Sequence, residues 1–312
     1  MVSIAVVLGT YNGEKYLHQQ LDSILNQQGV SVQIFARDDG SKDSTVQILR
    51  SYAGKYSNFH LLDNGNTSNI GVRDGFMTAL KWALLFSDEY DYFAFADQDD
   101  VWLPKKLISG VEKIRESTNC NGALYYSNKT IADENLSVIY QEHFIEQNNF
   151  SNFYFVSRAY GCTIVINRIL ADLSCRYVSK YAHFHDDWIH RLAICLNSDI
   201  YFDINSYILY RQHGDNNCGT FATDDKSLSH LTKRALSFIK NNDGYKRDLL
   251  ASDILNNYGT ILNDDAQSKL QTIADYKKKF GNRFRMIIKP NLSGRRTRDI
   301  LIWRIKVLLG YF

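Results

Sequence analysis

Apolar positions in the first part of the chain switch repeatedly between two periods. Val2–Leu8 is an apolar run of strand length, broken only by Ser3, after which Leu17, Leu21, Ile24 and Leu25 recur at i, i+4, i+7 and i+8, one face of a helix. Residues 32–36 read as a second strand, Val46, Leu49 and Tyr52 as a second helix, 58–62 as a third strand, and Phe76, Leu80, Ala83 and Leu84 as a third helix. The apolar run 92–96 is a fourth strand; Pro104 stands where the next helix begins, followed by Leu107, Val111 and Ile114 on one face. From 120 to 215 the pattern is mixed: 161–167 and 208–211 read as strands and 185–196 as a helix carrying Trp188, Leu192 and Cys195. After 225 the text is helical, over 228–239 and 245–255.

Strand alternating with helix predicts βαβ units, hence an α/β fold on a mostly parallel, Rossmann-like sheet flanked by helices. Such sheets bind ligands beyond the carboxyl ends of their strands. Three of these strands run into polar segments: 9–13, 38–41 and 97–100. The expected organisation is an α/β domain over 1–220 and a helical C-terminal region over 221–312 that ends in a basic extension.

Composition changes the picture in two places. The formal net charge of the 312 residues is only +2, yet 277–312 hold 11 Lys/Arg against one acid, Asp299, and the remainder is net −8. An acidic body argues against a nucleic-acid partner for the main domain, and the basic tail points to an anionic surface. Lys277, Lys278, Lys279, Arg283, Arg285, Arg295, Arg296 and Arg298 interleave with Phe280, Phe284, Met286, Ile287, Ile288, Leu301, Trp303, Val307 and Leu308, a pattern suited to a membrane surface. A solvated helical face is the plain alternative. The five cysteines form no C-x-x-C pair, which fits a reducing compartment, and neither a secretory leader nor a 20-residue apolar span is expected. Two prolines exclude Pro-rich linkers.

Asp97 and Asp99 are at i and i+2 after an apolar strand and so point to the same side. Two carboxylates there suit Mg²⁺ or Mn²⁺, with phosphate oxygens completing the shell; the plain alternative is a strand-to-helix turn with Asp100 as a helix cap. Asp38 and Asp39, followed by Gly40-Ser41, suit recognition of a base or ribose, or form a polar turn. Thr10-Tyr11-Asn12 ends the first strand without a dinucleotide fingerprint or a P-loop, and Tyr11 offers a ring for base stacking. Arg73 suits a diphosphate clamp and His213 a third metal ligand or diphosphate contact. Asp187 suits a general base, with Asp186 beside it as a helix cap.

In order and rough spacing, Thr10-Tyr11-Asn12, Asp38-Asp39-Gly40-Ser41, Asp97-Gln98-Asp99-Asp100-Val101-Trp102 and Asp186-Asp187-Trp188 resemble glycosyltransferase family 2, enzymes of GT-A fold that use nucleotide-sugar donors. The resemblance covers about residues 1–215. It implies that Tyr11 and Asp39 contact the pyrimidine base with Asp38 supporting, that Asp97 lies near ribose and metal, that Asp99 binds the metal, and that Asp187 is the catalytic base. The family's acidic pair is Glu-Asp and here is Asp-Asp. The Gln-x-x-Arg-Trp motif of processive members is absent, which implies one sugar added per encounter. Asp-Gln-Asp-Asp-Val-Trp and Arg211-Gln212-His213 look like the branch that includes bacterial rhamnosyltransferases.

The expected function is therefore metal-dependent, inverting transfer of a sugar, with L-rhamnose from dTDP-L-rhamnose preferred over a UDP-hexose. The expected acceptor is a lipid-linked cell-surface polysaccharide precursor, and the expected location the cytoplasmic face of the cell membrane. Rival classes are a nucleotidyltransferase, a phosphohydrolase of haloacid dehalogenase type, and a non-catalytic nucleotide-sugar or RNA-binding module. The segment 9–13 lacks the basic residue of the first, and Asp97 lies too far along the chain for the second.

Overall fold

The structure is a computed structural model, and it describes residues 1–62, 68–144, 149–153, 155, 157–214, 246–288, 297–310 and 312. Its centre is one nine-stranded sheet. The strands are β1 (Val2–Thr10), β2 (Val30–Asp38), β3 (Phe59–Leu61), β4 (Tyr92–Ala96), β5 (Val101–Trp102), β6 (Ala123–Ala132), β7 (Val138–Gln141), β8 (Val165–Asn167) and β9 (Asp199–Arg211). They lie in the order β3-β2-β1-β4-β8-β6-β9-β5, with β7 paired to β6. The first four strands are parallel, as the βαβ pattern predicts. Beyond them the sheet is mixed: β8 runs antiparallel to both β4 and β6, whereas β6 and β9 are parallel.

Both faces of the sheet are covered. Ile4, Val6 and Leu8 of β1 point into a core shared with α1 (Leu17–Leu25), α2 (Thr45–Lys55) and α4 (Lys106–Ile114). The alternate residues Ala5 and Val7 point into the opposite core, with α3 (Val72–Phe86), α5 (Arg168–Arg176) and α6 (His185–Leu196). Burial on both sides is why β1 reads as a continuous apolar run instead of an alternation. α6 is buried nearly all round, Arg191 and His190 included.

The C-terminal helices α7 (Arg247–Tyr258), α8 (Asp264–Ala274), α9 (Phe280–Ile288) and α10 (Thr297–Leu309) pack against this second core, with Tyr258 6.1 Å from the Trp188 ring. The boundary expected at 220/221 and the helix expected over 228–239 lie outside the described residues. The C-terminal segment also departs from a uniform surface tail. Met286, Trp303 and Val307 are buried in the core, Lys277 pairs with Asp248 at 2.8 Å, and Arg283 donates to the Leu308 carbonyl at 2.7 Å. Arg295 and Arg296 lie outside the described residues, as does the side chain of Arg298.

Three local expectations change. Residues 161–163 form a 3₁₀ turn and only Val165–Asn167 is strand, because Thr163 N–H returns to the Tyr160 carbonyl at 2.8 Å. The strand expected at 208–211 begins at Asp199. β6 was not anticipated: its second half, Ser127, Asn128, Lys129 and Thr130, breaks the apolar pattern.

Candidate active site

The register of the parallel strands builds the site. Thr10 pairs with Asp38 and Leu8 with Ala96, so the segments that follow β1, β2 and β4 emerge side by side. The strand order reverses beside β1, the place where open α/β sheets form their ligand crevice. A cleft of about 830 Å³ opens there, and its walls include Thr10, Tyr11, Arg37, Asp39, Asp97, Asp99, Asp186 and His213.

Asp38 is buried and holds the turn below the cleft. Its carboxylate accepts from Thr10 Oγ1 at 2.9 Å, from the N–H groups of Gly40 and Ser41 at 3.0 and 2.8 Å, and from Ser41 Oγ. Asp39 is the member of the pair that lines the cleft, accepting from the N–H groups of Ile70 and Gly71 at 3.0 and 2.9 Å and from Arg37. Tyr11 is 46% exposed, so its ring is open to a stacking partner. Gln98 ties the first loop to the third: its side chain accepts from Tyr11 N–H at 2.7 Å and donates to the Tyr11 carbonyl at 2.9 Å.

Asp99 Oδ2 meets His213 Nε2 at 2.8 Å. Arg211, 1% exposed, donates to the Asp99 carbonyl at 2.8 Å and to Gln19 Oε1 at 2.6 Å, fixing the chain on either side of this contact. Enclosure, together with the charges of Asp99 and Asp186, pushes the Asp97 carboxyl up to about 7. Asp100 is wholly buried and accepts from Arg211 N–H at 3.2 Å, so it caps no helix. Burial raises both Asp100 and the Cys162 thiol, whose ligand atoms cluster with that of Asp97 beneath the cleft. Lys129, 4% exposed and set against the Tyr160 and Tyr210 rings at 3.3 and 4.0 Å, is a buried cation facing these acids, and buried Lys106 is another beside Asp100 and Cys162.

The two carboxylates at the start of α6 part company. Asp186 lines the cleft, accepts from Gly161 N–H at 2.8 Å, and is pushed up to about 6 by enclosure and by the charge of Asp187. Asp187 is 5% exposed and not among the residues lining the cleft. Burial alone would raise its pKa, but the guanidinium groups of Arg191, at 2.7 Å, and Arg247, at 3.4 Å, outweigh that and hold it well below the carboxylate range. Arg191 is itself locked by bonds to the carbonyls of Phe153 and Phe155.

The structure thus brings Thr10, Tyr11, Asp39, Asp97, Asp99 and His213 to one cleft, with Asp38 beneath. Two residues expected there are elsewhere. Arg73 is not on the cleft wall; it pairs with Asp74 at 2.7 Å and donates to the carbonyls of Ser179 and Ala182 at 3.3 and 2.8 Å, tying α3 to the chain ahead of α6. Asp187 is engaged by two arginines, and the cleft-facing acid is Asp186. Asp186 is also no helix cap, since Phe184 holds that position. Arg37 and Gln98 were missed as cleft residues. For Gln98 the pattern pointed the wrong way, because a residue between i and i+2 on an extended segment faces the opposite side, whereas 97–99 is not strand and all three residues line the cleft.

Asp97, Asp99 and His213 fit a divalent cation. They offer carboxylate oxygens and one imidazole at an open wall: Asp99 and His213 converge, and Asp97 lines the same cleft under negative charge that a cation relieves, although the three ligand atoms are not gathered within 4.8 Å as those of Asp97, Asp100 and Cys162 are. The Asp97–Asp100–Cys162 group fits less well, since a thiol raised by burial is a poor ligand at neutral pH.

A mixed sheet flanked by helices, with an acidic cleft at the carboxyl ends of its parallel strands, is an α/β architecture of GT-A type. The model of "Glycosyl transferase family 2" matches residues 5–173, more than half of the chain, and the chain belongs to that family. A dTDP-rhamnosyl transferase of Shigella flexneri, RfbG, is 29% identical over 225 residues, 68% of this chain and 73% of its own. An uncharacterised glycosyltransferase of Rickettsia typhi is 26% identical over 254 residues, 76% of this chain and 75% of its own. Among solved structures, Staphylococcus aureus TarS residues 1–349 in complex with UDP-GlcNAc superposes with a TM-score of 0.58 at 18% identity, covering 99% of this chain and 80% of that one, a likeness of fold.

Proposed function

We propose that this glycosyltransferase moves one sugar per encounter, with inversion, from a nucleotide-sugar donor to an acceptor hydroxyl, and that Asp186 is the base. The observation that carries this reading is the convergence of Asp39, the Asp97/Asp99/His213 group and Asp186 on one cleft. Tyr11 and Asp39 hold the nucleoside by stacking and by carboxylate hydrogen bonds. Asp97, Asp99 and His213 hold Mg²⁺ or Mn²⁺, which when bound neutralises charge on the departing diphosphate. Asp186 accepts the acceptor's proton as its oxygen bonds to the anomeric carbon; the bond from that carbon to the diphosphate oxygen breaks, and the nucleoside diphosphate leaves. Asp187, Arg191 and Arg247 keep the first turn of α6 in place.

The likeness to RfbG supports L-rhamnose from dTDP-L-rhamnose as the donor. The basic C-terminal segment supports an acceptor presented at an anionic membrane surface, a lipid-linked cell-surface polysaccharide precursor at the cytoplasmic face. Among the described residues no helix is long and apolar enough to cross a membrane. The test is a donor panel with Mn²⁺ or Mg²⁺, scoring release of dTDP, UDP and GDP in the presence of acceptor. Cation-dependent release of dTDP from dTDP-L-rhamnose is expected. Release of UDP alone overturns the donor, and equal release under chelation overturns the role of the cation.

A further inference from the structure

The C-terminal segment is not a loose basic tail. α9 and α10 are bolted to the body: Met286, Trp303 and Val307 enter the core, and Tyr276 Oη meets the Phe312 carbonyl oxygen at 2.6 Å and its N–H at 2.8 Å. Arg283 bridges the pair, bonding the carbonyls of Tyr276 and Leu308. With their inner residues so used, both helices still present large apolar side chains outward. Phe280, Phe284 and Ile288 follow one another at i, i+4 and i+8 on α9 and are 64, 46 and 73% exposed. Leu301, Ile305 and Leu309 do the same on α10, at 58, 41 and 54%. An apolar stripe at helical spacing on each of two adjoining helices is unlike scattered surface hydrophobics, which need no explanation. Lys278, Lys279, Arg285 and Arg304 are exposed around these stripes, the two lysines sharing Asp275 at 3.6 and 3.4 Å, and the segment 277–312 carries 11 basic residues to one acid.

We propose that α9 and α10 form a preformed docking face for an anionic lipid bilayer, with the six apolar side chains entering the acyl boundary and the exposed lysines and arginines meeting the headgroups. Apolar side chains bordered by a net positive charge fit a surface that is oily within and negative at its rim. A second copy of this chain would oppose the same positive fringe. The helices are already folded against the core, so binding requires little further ordering of the chain, and Trp303 serves the core instead of the interface. This inference rests on the membrane-surface reading of the basic segment and adds that the apolar stripes, on folded helices, are inserted.

The test is co-sedimentation of the full chain with vesicles of phosphatidylcholine containing phosphatidylglycerol, and with phosphatidylcholine alone. Three variants are compared: Phe284→Ser with Ile288→Ser, Leu301→Ser with Ile305→Ser, and the charge reversal Lys278→Glu with Lys279→Glu and Arg285→Glu. The two serine pairs are on different helices, so a folding failure in one leaves the other readable. Each of the three is expected to weaken binding to the anionic vesicles at least tenfold, with unchanged sugar transfer to a soluble acceptor. If the charge reversal releases the protein and both serine pairs bind like wild type, the electrostatic reading stands and the inserted face is wrong. If none of the variants changes binding, or the wild type ignores anionic vesicles, both readings fail. A wild-type dimer that the serine pairs convert to monomer, without vesicle binding, assigns the face to a second copy and overturns the proposal.

Discussion

Two adjacent aspartates with the same chemistry are given different work by what surrounds them. Asp186 lines the cleft with a carboxylate held in place by two backbone N–H groups, Gly161 at 2.8 Å on Oδ2 and Asp187 at 2.6 Å on Oδ1, and with a pKa raised to about 6. Asp187 is spent on Arg191 and Arg247. Asp186→Asn is expected to keep donor affinity, measured by calorimetry, while turnover falls by about 10²–10⁴, the usual loss for a general base. Asp187→Asn removes a shared countercharge from two buried guanidinium groups, a loss of about 3–5 kcal/mol in stability. Because the folded pKa of Asp187 is below its unfolded value, the stability it contributes is present at neutral pH and lost only in strong acid. Thermal unfolding separates the two variants. A stable Asp187→Asn protein with no turnover would return the base to Asp187.

At the scale of elements, the site is an assembly of strand ends held together by side chains from other strand ends. Gln98 joins the segment after β4 to the one after β1, and Asp39 joins the end of β2 to the loop before α3. Gly71 makes the second junction possible: its φ of 84° and ψ of 157° lie where only glycine is at ease, and its N–H reaches Asp39 at 2.9 Å. A side chain there costs about 1–3 kcal/mol of backbone strain. Gly71→Ala is therefore expected to raise the donor Kd by about 5–100-fold. Gly54→Ala in α2, where an added Cβ meets nothing within 4 Å, should leave that Kd unchanged. Helices α1 to α4, α6 and α7 and the first four strands were legible because their apolar periods are set by burial on known faces. β6 was not, because Asn128 donates to the carbonyls of Phe144 and Ile204, Thr130 donates to Ser206, and Lys129 packs on two aromatic rings. None of those partners is near in sequence, so the run of polar residues reads locally as a break.

Taken whole, the molecule sets the working pH of its site. Asp97, Asp186 and Asp187 share one enclosed region, and enclosure plus mutual repulsion raises the pKa of the first two. The Gly161 N–H opposes the shift at Asp186, and Lys129 opposes it at Asp97. A base must be ionised to accept a proton, so activity is lost as Asp186 protonates. At saturating cation, kcat/KM is expected to rise with pH along a limb centred near 6 and then level off. Asp186→Asn should abolish that limb; a profile flat down to pH 4 would remove Asp186 from the chemistry.

By itself the sequence determined the α/β class, the three strand-end segments that carry Tyr11, Asp39, Asp97 and Asp99, and the charge contrast between body and C-terminal segment. These are legible because each depends on residues close together in the chain: a period, a strand end, a local run of one sign. Tertiary structure alone decided which of two neighbouring carboxylates faces the cleft, that Arg73 ties α3 to the chain before α6 instead of clamping a ligand, and which apolar residues of the last two helices stay outside. Each of those outcomes turns on a partner tens of residues away, Asp187 with Arg247 or Arg73 with Ala182, and no local pattern encodes which way such a side chain will turn.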